Sequence, residues 1–201
     1  MFTGIIESLG KVKSIQEEGS NVHFEIESSL AKESYIDQSI AHNGVCLTVV
    51  SNTETSYVVT AIDETLKRSN LGELKLGDTI NLERCMLPNT RMDGHMVQGH
   101  VDTVVQCQSV QALDGSWEYR FSLPADYSHL IVDKGSVSIN GVSLTVVDPS
   151  DDSFGVAIIP YTFEHTNFKS FQAGHDVNIE FDIIGKYVAK QMAAINKKAS
   201  L

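Results

Sequence analysis

Two histidines stand out as groups that could move protons. His95 and His100 lie in the segment 93–102, which reads DGHMVQGHVD, and a glycine precedes each of them. Imidazole titrates near neutral pH, and the glycines would let a ligand approach the backbone closely. Their spacing places the two side chains on opposite faces of a strand and does not match the HExxH pattern of zinc enzymes. The segment therefore predicts no zinc site and leaves open whether each histidine is structural or contacts a ligand.

The chain carries an internal repeat. Residues 43–50 read NGVCLTVV and residues 140–147 read NGVSLTVV, so a single position differs across an offset of 97 residues. The same offset pairs Thr65 with Thr162, Asn70 with Asn167, Gly77 with Gly174, Asn81 with Asn178 and Glu83 with Glu180. Upstream it pairs Val22, Phe24 and Ile26 with Tyr119, Phe121 and Leu123. A period this long predicts duplicated domains rather than a solenoid.

The duplication separates shared positions from unshared ones. Shared positions serve the fold or a ligand that both copies bind, and the Asn-Gly pairs at 43–44 and 140–141 are typical of hairpin turns. Thr48 and Thr145 lie in apolar runs, where a hydroxyl needs a partner in the strand or on a ligand. Unshared positions are candidates for work done by one copy: Cys46 faces Ser143, Leu9 faces His100, Asp37 faces Lys134 and Cys85 faces Asp182. Neutral drift would leave the same differences.

Short strands must position these groups. Each copy shows apolar or alternating runs, VHFEI, LTVV, YVVTAI and TINLE in the first and YRFSL, LTVV, GVAII and VNIEF in the second. With turn residues between the runs, this pattern predicts an antiparallel β sandwich or barrel. Brief helices are expected near 30–35 and 125–131, and one amphipathic helix over 185–197 with Val188, Met192 and Ile195 on one face. That face packs either on the barrels or on another subunit.

Composition excludes several classes of partner. With 15 Lys and Arg against 26 Asp and Glu, the net charge of -11 disfavours nucleic acid and anionic membranes. No apolar run is long enough for a membrane span, and no signal peptide is expected at the N-terminus. The 3 widely spaced cysteines form neither a disulfide framework nor a CxxC pair, which predicts a reducing, cytoplasmic setting. Without GxGxxG, P-loop or GxSxG motifs, dinucleotide, P-loop and α/β-hydrolase folds have no support.

Several motifs, taken in order, closely resemble those of riboflavin synthases: MFTGIIE, AHNGVCLTVV, GHMVQGHVD, INGVSLTVV and IPYTFEHTN. The resemblance covers nearly the whole chain. It implies an all-β fold of two tandem homologous antiparallel six-stranded Greek-key β-barrels plus a C-terminal α-helix. The implied domains are two lumazine-binding barrels, 1–90 and 91–184, and a trimerisation helix and tail, 185–201.

The resemblance also implies an activity and partners. The reaction would be dismutation of two 6,7-dimethyl-8-ribityllumazine molecules to riboflavin and 5-amino-6-ribitylaminouracil, the last step of riboflavin biosynthesis, with no cofactor and no metal. Riboflavin synthases form homotrimers with each active site between the first barrel of one subunit and the second barrel of its neighbour, and association with lumazine synthase is a further expectation. Related antenna proteins bind a lumazine or flavin without converting it, but here both copies keep LTVV and their polar residues, which favours the enzyme. A flavin-binding barrel of a reductase would also need a nicotinamide-binding domain, for which 201 residues leave no room.

The pocket pattern of the family falls on matching positions in both copies. In the first barrel it covers Gly4, Ile5, Ile6, Ser39, Cys46, Leu47, Thr48, Thr60, Ala61, Ile62, Asp63, Glu64 and Thr65. In the second barrel it covers Gly99, His100, Val101, Lys134, Ser143, Leu144, Thr145, Ile158, Ile159, Pro160, Tyr161, Thr162 and Phe163. The resemblance makes His100 the expected proton-transfer or orienting group, while Cys46 and Ser143 would polarise the ring or add to it. Asp182 would orient His100 or act as a base, and Lys134 would stabilise developing negative charge.

Overall fold

The computed structural model describes residues 1–199 and contains two closed β-barrels followed by a helix. The first barrel consists of β1 (Ser8–Glu18), β2 (Asn21–Glu27), β3 (Ser39–His42), β4 (Val45–Asn52), β5 (Ser56–Ala61) and β6 (Thr79–Arg84). The second consists of β7 (Thr103–Leu113), β8 (Ser116–Ser122), β9 (Ser136–Ile139), β10 (Val142–Val147), β11 (Ser153–Ile158) and β12 (Asp176–Phe181). Neighbouring strands are antiparallel, in the orders β1-β2-β5-β4-β3-β6 and β7-β8-β11-β10-β9-β12. The predicted fold of two six-stranded antiparallel barrels is confirmed.

Short helical segments connect the strands. Helix α1 (Asp63–Arg68) follows β5, and its repeat counterpart α2 (Pro160–His165) follows β11; the sequence did not predict either. The segments expected as helices near 30–35 and 125–131 are 3₁₀ turns, Ala31–Glu33 and Ala125–Leu130. Helix α3 (Ile183–Ala199) follows β12 and contains the helix predicted over 185–197.

Each barrel closes around its own apolar core, because alternate strand residues point inward. Phe24, Ile26 and Ile80 are among the buried residues of the first core. The second core is richer in aromatic rings, and the rings of Phe121 and Phe154 meet in a tilted arrangement at a centroid distance of 5.7 Å. The two cores are separate, so that each copy of the repeat folds around its own interior.

Strand pairing corrects the alignment of the two copies in their first halves. Phe24 lies opposite Val59, and the equivalent of Val59, Val156, lies opposite Tyr119 rather than Phe121. The true offset before β3 and β9 is therefore 95 residues, and the second copy has two extra residues in its β8–β9 connection. The predicted upstream pairs were wrong by two positions. A shift of two leaves every side chain on the same face of its strand, so the alternation of apolar and polar residues does not reveal it.

The barrels meet face to face around an approximate two-fold relation. The turn glycines Gly44 and Gly141 touch across it, and a Cβ added to Gly44 would lie 2.7 Å from the Gly141 nitrogen. Asparagine side chains cross the same interface, because Asn81 donates to the Asn140 carbonyl at 2.9 Å and Asn178 donates to the Asn43 carbonyl at 2.9 Å. The Asn-Gly pairs thus do more than form turns, since their asparagines also join the two barrels.

Helix α3 leaves its apolar face uncovered within one chain. The predicted stripe of Val188, Met192 and Ile195 has exposed fractions of 57%, 51% and 57%. The first turn is held to the second barrel by an ion pair between Lys186 and Asp102. Within residues 1–199, the helices are too short or too polar to cross a bilayer.

Candidate active site

Two short arms, residues 2–6 and 97–101, occupy equivalent places in the two copies. The Glu83 carboxylate in β6 accepts hydrogen bonds from the Thr3 nitrogen at 2.6 Å, the Thr3 hydroxyl at 2.7 Å and the Gly4 nitrogen at 2.9 Å. The Glu180 carboxylate in β12 accepts from the nitrogens of Gln98, Gly99 and His100 at 2.6, 2.9 and 2.9 Å. Burial raises the pKa of both carboxyls, while the donated N–H groups oppose that shift. Each buried glutamate therefore anchors the arm of its own copy.

The anchored arms make Ile5, not Leu9, the counterpart of His100. Gly4 and Gly99 bind equivalent glutamates through their nitrogens, so the residues that follow them are equivalent. The expected facing of Leu9 and His100 was therefore wrong, because those residues are 91 positions apart, whereas the equivalent arm residues are 95 apart. The first copy carries an apolar isoleucine where the second carries an imidazole.

Each arm lies against the opposite barrel. The Gly4 carbonyl accepts a hydrogen bond from the Ser143 nitrogen at 2.8 Å, and Ile6 packs on the core of the second barrel. The Gly99 carbonyl accepts from the Cys46 nitrogen at 2.9 Å, and Val101 packs on the core of the first barrel. The expectation that Gly4–Ile6 serve the first barrel and residues 99–101 the second is corrected, because the arms are exchanged.

Glycine is required where each arm meets the opposite barrel. Gly4 and Gly99 have φ values of +77° and +81°, in the left-handed region that disfavours other residues. A Cβ at Gly4 would lie 2.6 Å from the Ser143 Cβ, and one at Gly99 would lie 2.6 Å from the Cys46 Cβ. The arms can therefore contact β4 and β10 closely enough to place polar groups around Cys46 and Ser143.

The arm at 97–101 completes a cavity in the first barrel. This cavity of about 180 Å³ is lined by Val45, Cys46, Glu64, Thr65, Arg68, Ser69, Gly99, His100 and Val101. It brings a thiol, a hydroxyl and an imidazole to one place, together with the Glu64–Arg68 ion pair at 2.7 Å. Six of its residues were sequence candidates, whereas Arg68 was missed; its spacing of i, i+4 from Glu64 on a helix was the available signal.

The other first-barrel candidates do not line this cavity. Ser39 and Thr48 are strand partners, and Leu47 is buried in the core. The Thr60 hydroxyl bonds the His23 ring at 2.9 Å, and the Asp63 carboxylate pairs with Lys67 at 2.6 Å. Of the remaining two, Ala61 is buried and Ile62 is 55% exposed.

The second barrel places its candidates at the equivalent edge. Ser143, Leu144 and Thr145 lie on β10, Ile158 ends β11, and Ile159, Pro160, Tyr161, Thr162 and Phe163 lead into or form α2. The Phe163 ring stacks on Trp117 at a centroid distance of 3.8 Å. Tyr161 is 69% exposed and Ile159 is 59% exposed, so both are available to a ligand or another subunit.

Ser143 has a partner that the sequence did not identify. The Nδ1 atom of His95 lies 2.7 Å from the Ser143 hydroxyl, and the His95 nitrogen donates to the Thr3 carbonyl at 3.1 Å. Burial lowers the pKa of His95, and the nearby Asp182 charge opposes that shift. The glycine before His95 was the sequence signal of this close approach. A Cβ at Gly94 would lie 2.1 Å from the Thr3 carbonyl oxygen.

The expected catalytic residues fall into different surroundings. His100 and Cys46 share the first-barrel cavity, and His100 is exposed. Asp182 accepts a hydrogen bond from the Ile184 nitrogen at 2.9 Å and acts electrostatically on His95; among residues 1–199 no hydrogen bond joins it to His100. Lys134 has a φ of 62° and a side chain 67% exposed, with Asp133 at 3.9 Å.

Comparison with known proteins identifies the domain that this chain contains twice. The model of the lumazine binding domain matches residues 3–85 and 98–182. Riboflavin synthase from Actinobacillus pleuropneumoniae is 42% identical over 94% of this chain and 88% of its own length, and that from Bacillus subtilis is 35% identical over 98% and 92%. Riboflavin synthase from Mycobacterium tuberculosis is 39% identical over 96% of this chain and 98% of its own.

A solved structure shares the fold. The crystal structure of LumP complexed with riboflavin superposes with a TM-score of 0.84 at 23% identity and covers 90% of this chain and 99% of that chain. At that identity the likeness concerns the barrels and their arrangement. The two domain matches and the sequence relatives place the chain in the riboflavin synthase family, built on two lumazine binding domains.

Proposed function

We propose that this chain is a riboflavin synthase that converts two molecules of 6,7-dimethyl-8-ribityllumazine into riboflavin and 5-amino-6-ribitylaminouracil. One lumazine gives a four-carbon unit to the other. The observation that carries the proposal is the pair of equivalent sites built around Cys46 and Ser143, each completed by the arm of the other copy. A reaction between two identical molecules needs two similar sites, and a duplicated domain supplies them.

The chemistry asks mainly for positioning and proton transfer. The C7 methyl group of the lumazine is acidic, because its carbanion is delocalised into the ring system. Holding two such molecules in reactive register can contribute about 7–11 kcal/mol to lowering the barrier. Atoms and electrons balance between two lumazines and the two products, so the exchange consumes no oxidant or reductant.

Side-chain roles follow from the two surroundings. In the first barrel, His100 would transfer or orient a proton next to the Cys46 thiol, and Thr65 would hold ring or ribityl oxygens. In the second barrel, the Ser143 hydroxyl would polarise the bound ring, with Thr145 and Thr162 as further anchors. Asp182 would act electrostatically on His95 in that second site. The exposed Lys134 side chain would stabilise negative charge that develops on the bound ring.

We further propose that the enzyme is a homotrimer joined through α3. The stripe of Val188, Met192 and Ile195 is more than half exposed at every position, and burying such a face is strongly favourable. Trimerisation would bring the first barrel of one subunit against the second barrel of its neighbour, so that the two bound lumazines face each other. Equilibrium sedimentation of the full chain tests this, and a monomer at micromolar concentration would refute it.

The organisation and location complete the proposal. The units would be 1–90, 91–184 and 185–201, although the arms at 2–6 and 97–101 cross between the first two; residues 200 and 201 lie outside the described part of the chain. A cytoplasmic location is supported by three free thiols, Cys46, Cys85 and Cys107. Association with lumazine synthase, the enzyme that would supply the substrate, is testable by co-sedimentation.

The deciding experiment needs the purified chain and 6,7-dimethyl-8-ribityllumazine alone. Loss of lumazine absorbance and gain of riboflavin are followed together, with heat-denatured protein as the control for spontaneous conversion. We expect two lumazines consumed for each riboflavin formed. Tight binding with an unchanged lumazine spectrum would instead identify a carrier and overturn the proposed catalytic roles.

A further inference from the structure

The two sites differ in how their equivalent β4 and β10 residues are held. Cys46 and Ser143 have matching backbone hydrogen bonds to Gly99 and Gly4. Of these two side chains, only that of Ser143 makes a hydrogen bond within residues 1–199, the contact of 2.7 Å with His95. His95 belongs to the segment between the barrels, outside the strands that repeat, so the duplication did not dictate this contact.

A chain of short contacts fixes His95 in place. Its nitrogen donates to the Thr3 carbonyl, and Thr3 is held to Glu83 by two hydrogen bonds of 2.6 and 2.7 Å. Gly94 leaves no room for a side chain, since a Cβ there would also lie 2.9 Å from the Ser143 Cβ. The imidazole is 9% exposed, so it cannot swing into solvent without breaking these contacts.

A serine hydroxyl without a partner samples several rotamers, and a hydrogen bond to a fixed group selects one of them. We propose that His95 is a positioning residue that fixes the Ser143 hydroxyl for the reaction in the second-barrel site. This inference rests on the proposed function. Desolvation keeps the imidazole neutral near pH 7, since burial lowers its pKa, and a neutral ring can accept from or donate to the hydroxyl through Nδ1.

The variants are chosen so that geometry separates positioning from other roles. The side-chain amide of His95→Asn reaches the place of Nδ1, whereas that of His95→Gln reaches the place of Nε2. We expect His95→Ala to lower kcat roughly tenfold to hundredfold with KM within about threefold, because misplacing a reacting group has effects of this size. His95→Asn should recover most of the lost kcat, and His95→Gln should not.

A double-mutant cycle provides the decisive comparison. If His95 acts through Ser143, adding His95→Ala to Ser143→Ala should leave kcat unchanged, because the group being positioned is already gone. A further tenfold loss in the double variant, or a His95→Ala variant with wild-type kcat, would overturn the inference. Failure of His95→Asn to recover activity would also overturn it, since proton transfer by the ring would then be the explanation.

Controls separate this inference from the proposed function and from simple misfolding. The matched control is the double variant His42→Ile with Tyr57→Phe, which replaces the other buried histidine and its hydrogen-bond partner. This control should keep wild-type kcat. Urea midpoints establish that each variant is folded. If the wild-type chain itself shows no turnover, the proposed function fails; the positioning role is then judged on the absorption maximum of bound 6,7-dimethyl-8-ribityllumazine. His95→Asn should match wild type there and His95→Ala should differ; equal maxima would refute the role.

Discussion

A buried histidine–tyrosine pair distinguishes the core of the first barrel from that of the second. His42 is 1% exposed; its Nδ1 lies 3.0 Å from the Ile40 carbonyl, to which it donates, and its Nε2 accepts from the Tyr57 hydroxyl at 2.9 Å. The equivalent positions of the second barrel are Ile139 and Phe154, which are fully buried and apolar. One set of barrel positions thus accommodates either a hydrogen-bonded polar pair or an apolar pair.

This comparison predicts strong coupling between the two positions. Tyr57→Phe leaves the His42 Nε2 without a donor, and His42→Ile leaves the Tyr57 hydroxyl without an acceptor. A buried polar group that loses its partner costs about 1–3 kcal/mol of unfolding free energy. We expect each single variant to lose about 2 kcal/mol and the double variant to lie within about 1 kcal/mol of wild type, because it imports the apolar pair of the second barrel.

Urea unfolding of the four proteins at pH 7.5 and one fixed protein concentration measures this coupling. A fixed concentration is needed because subunit association shifts apparent stability. The slopes of the transitions should agree, so that differences in midpoint report stability. Additive losses in the double variant would refute the reasoning, because they would mean that the first barrel cannot accommodate the residues of the second.

Three further predictions concern acid stability, an interface glycine and the sole tryptophan. Burial lowers the pKa of His42 to about 4, below its unfolded value of 6.5, so the unfolded chain binds the proton first as the pH falls. The free energy of unfolding should therefore fall by on the order of 3 kcal/mol from pH 7 to pH 4, and by less in the double variant that lacks His42. Urea midpoints at the two pH values measure this difference. Gly44→Ala should cost about 3 kcal/mol at the barrel interface and Gly115→Ala, which meets open space at φ +83°, about 1 kcal/mol; equal thermal shifts would contradict this. Emission from Trp117, which stacks on Phe163, should change when 6,7-dimethyl-8-ribityllumazine fills the second site; constant emission at saturation would contradict that placement.

Much of the fold could be read from local pattern. Runs such as VNIEF and the Asn-Gly turns report strands and hairpins directly, because side chains alternate and a type I′ turn needs positive φ at both positions. Asn43 and Gly44 have φ values of 46° and 80°, as that turn requires. Helices α1 and α2 escaped because six residues carry less than two helical turns of pattern.

The site could be predicted only as a set of residues, not as an arrangement. A repeat specifies what each copy contains, but it carries no information on how the copies touch. The exchange of the arms at 2–6 and 97–101, and the contact of His95 with Ser143, depend on that docking. The shared positions left roles in the fold and in ligand binding both open, and the docking shows that Asn81 and Asn178 join the barrels.

Arm exchange explains why one chain must contain both copies. An isolated first copy would keep Cys46 but lose the Gly99 carbonyl that binds it and the His100 ring beside it. It could refill that space only by pairing with another first copy, whose arm would present Ile5 in place of His100. Such a pair could still bind a ring, yet it would lack the imidazole of one site and the His95–Ser143 contact of the other. Duplication therefore supplies two similar pockets, and under the proposed function the differences at the exchanged arms would let one chain treat two identical molecules differently.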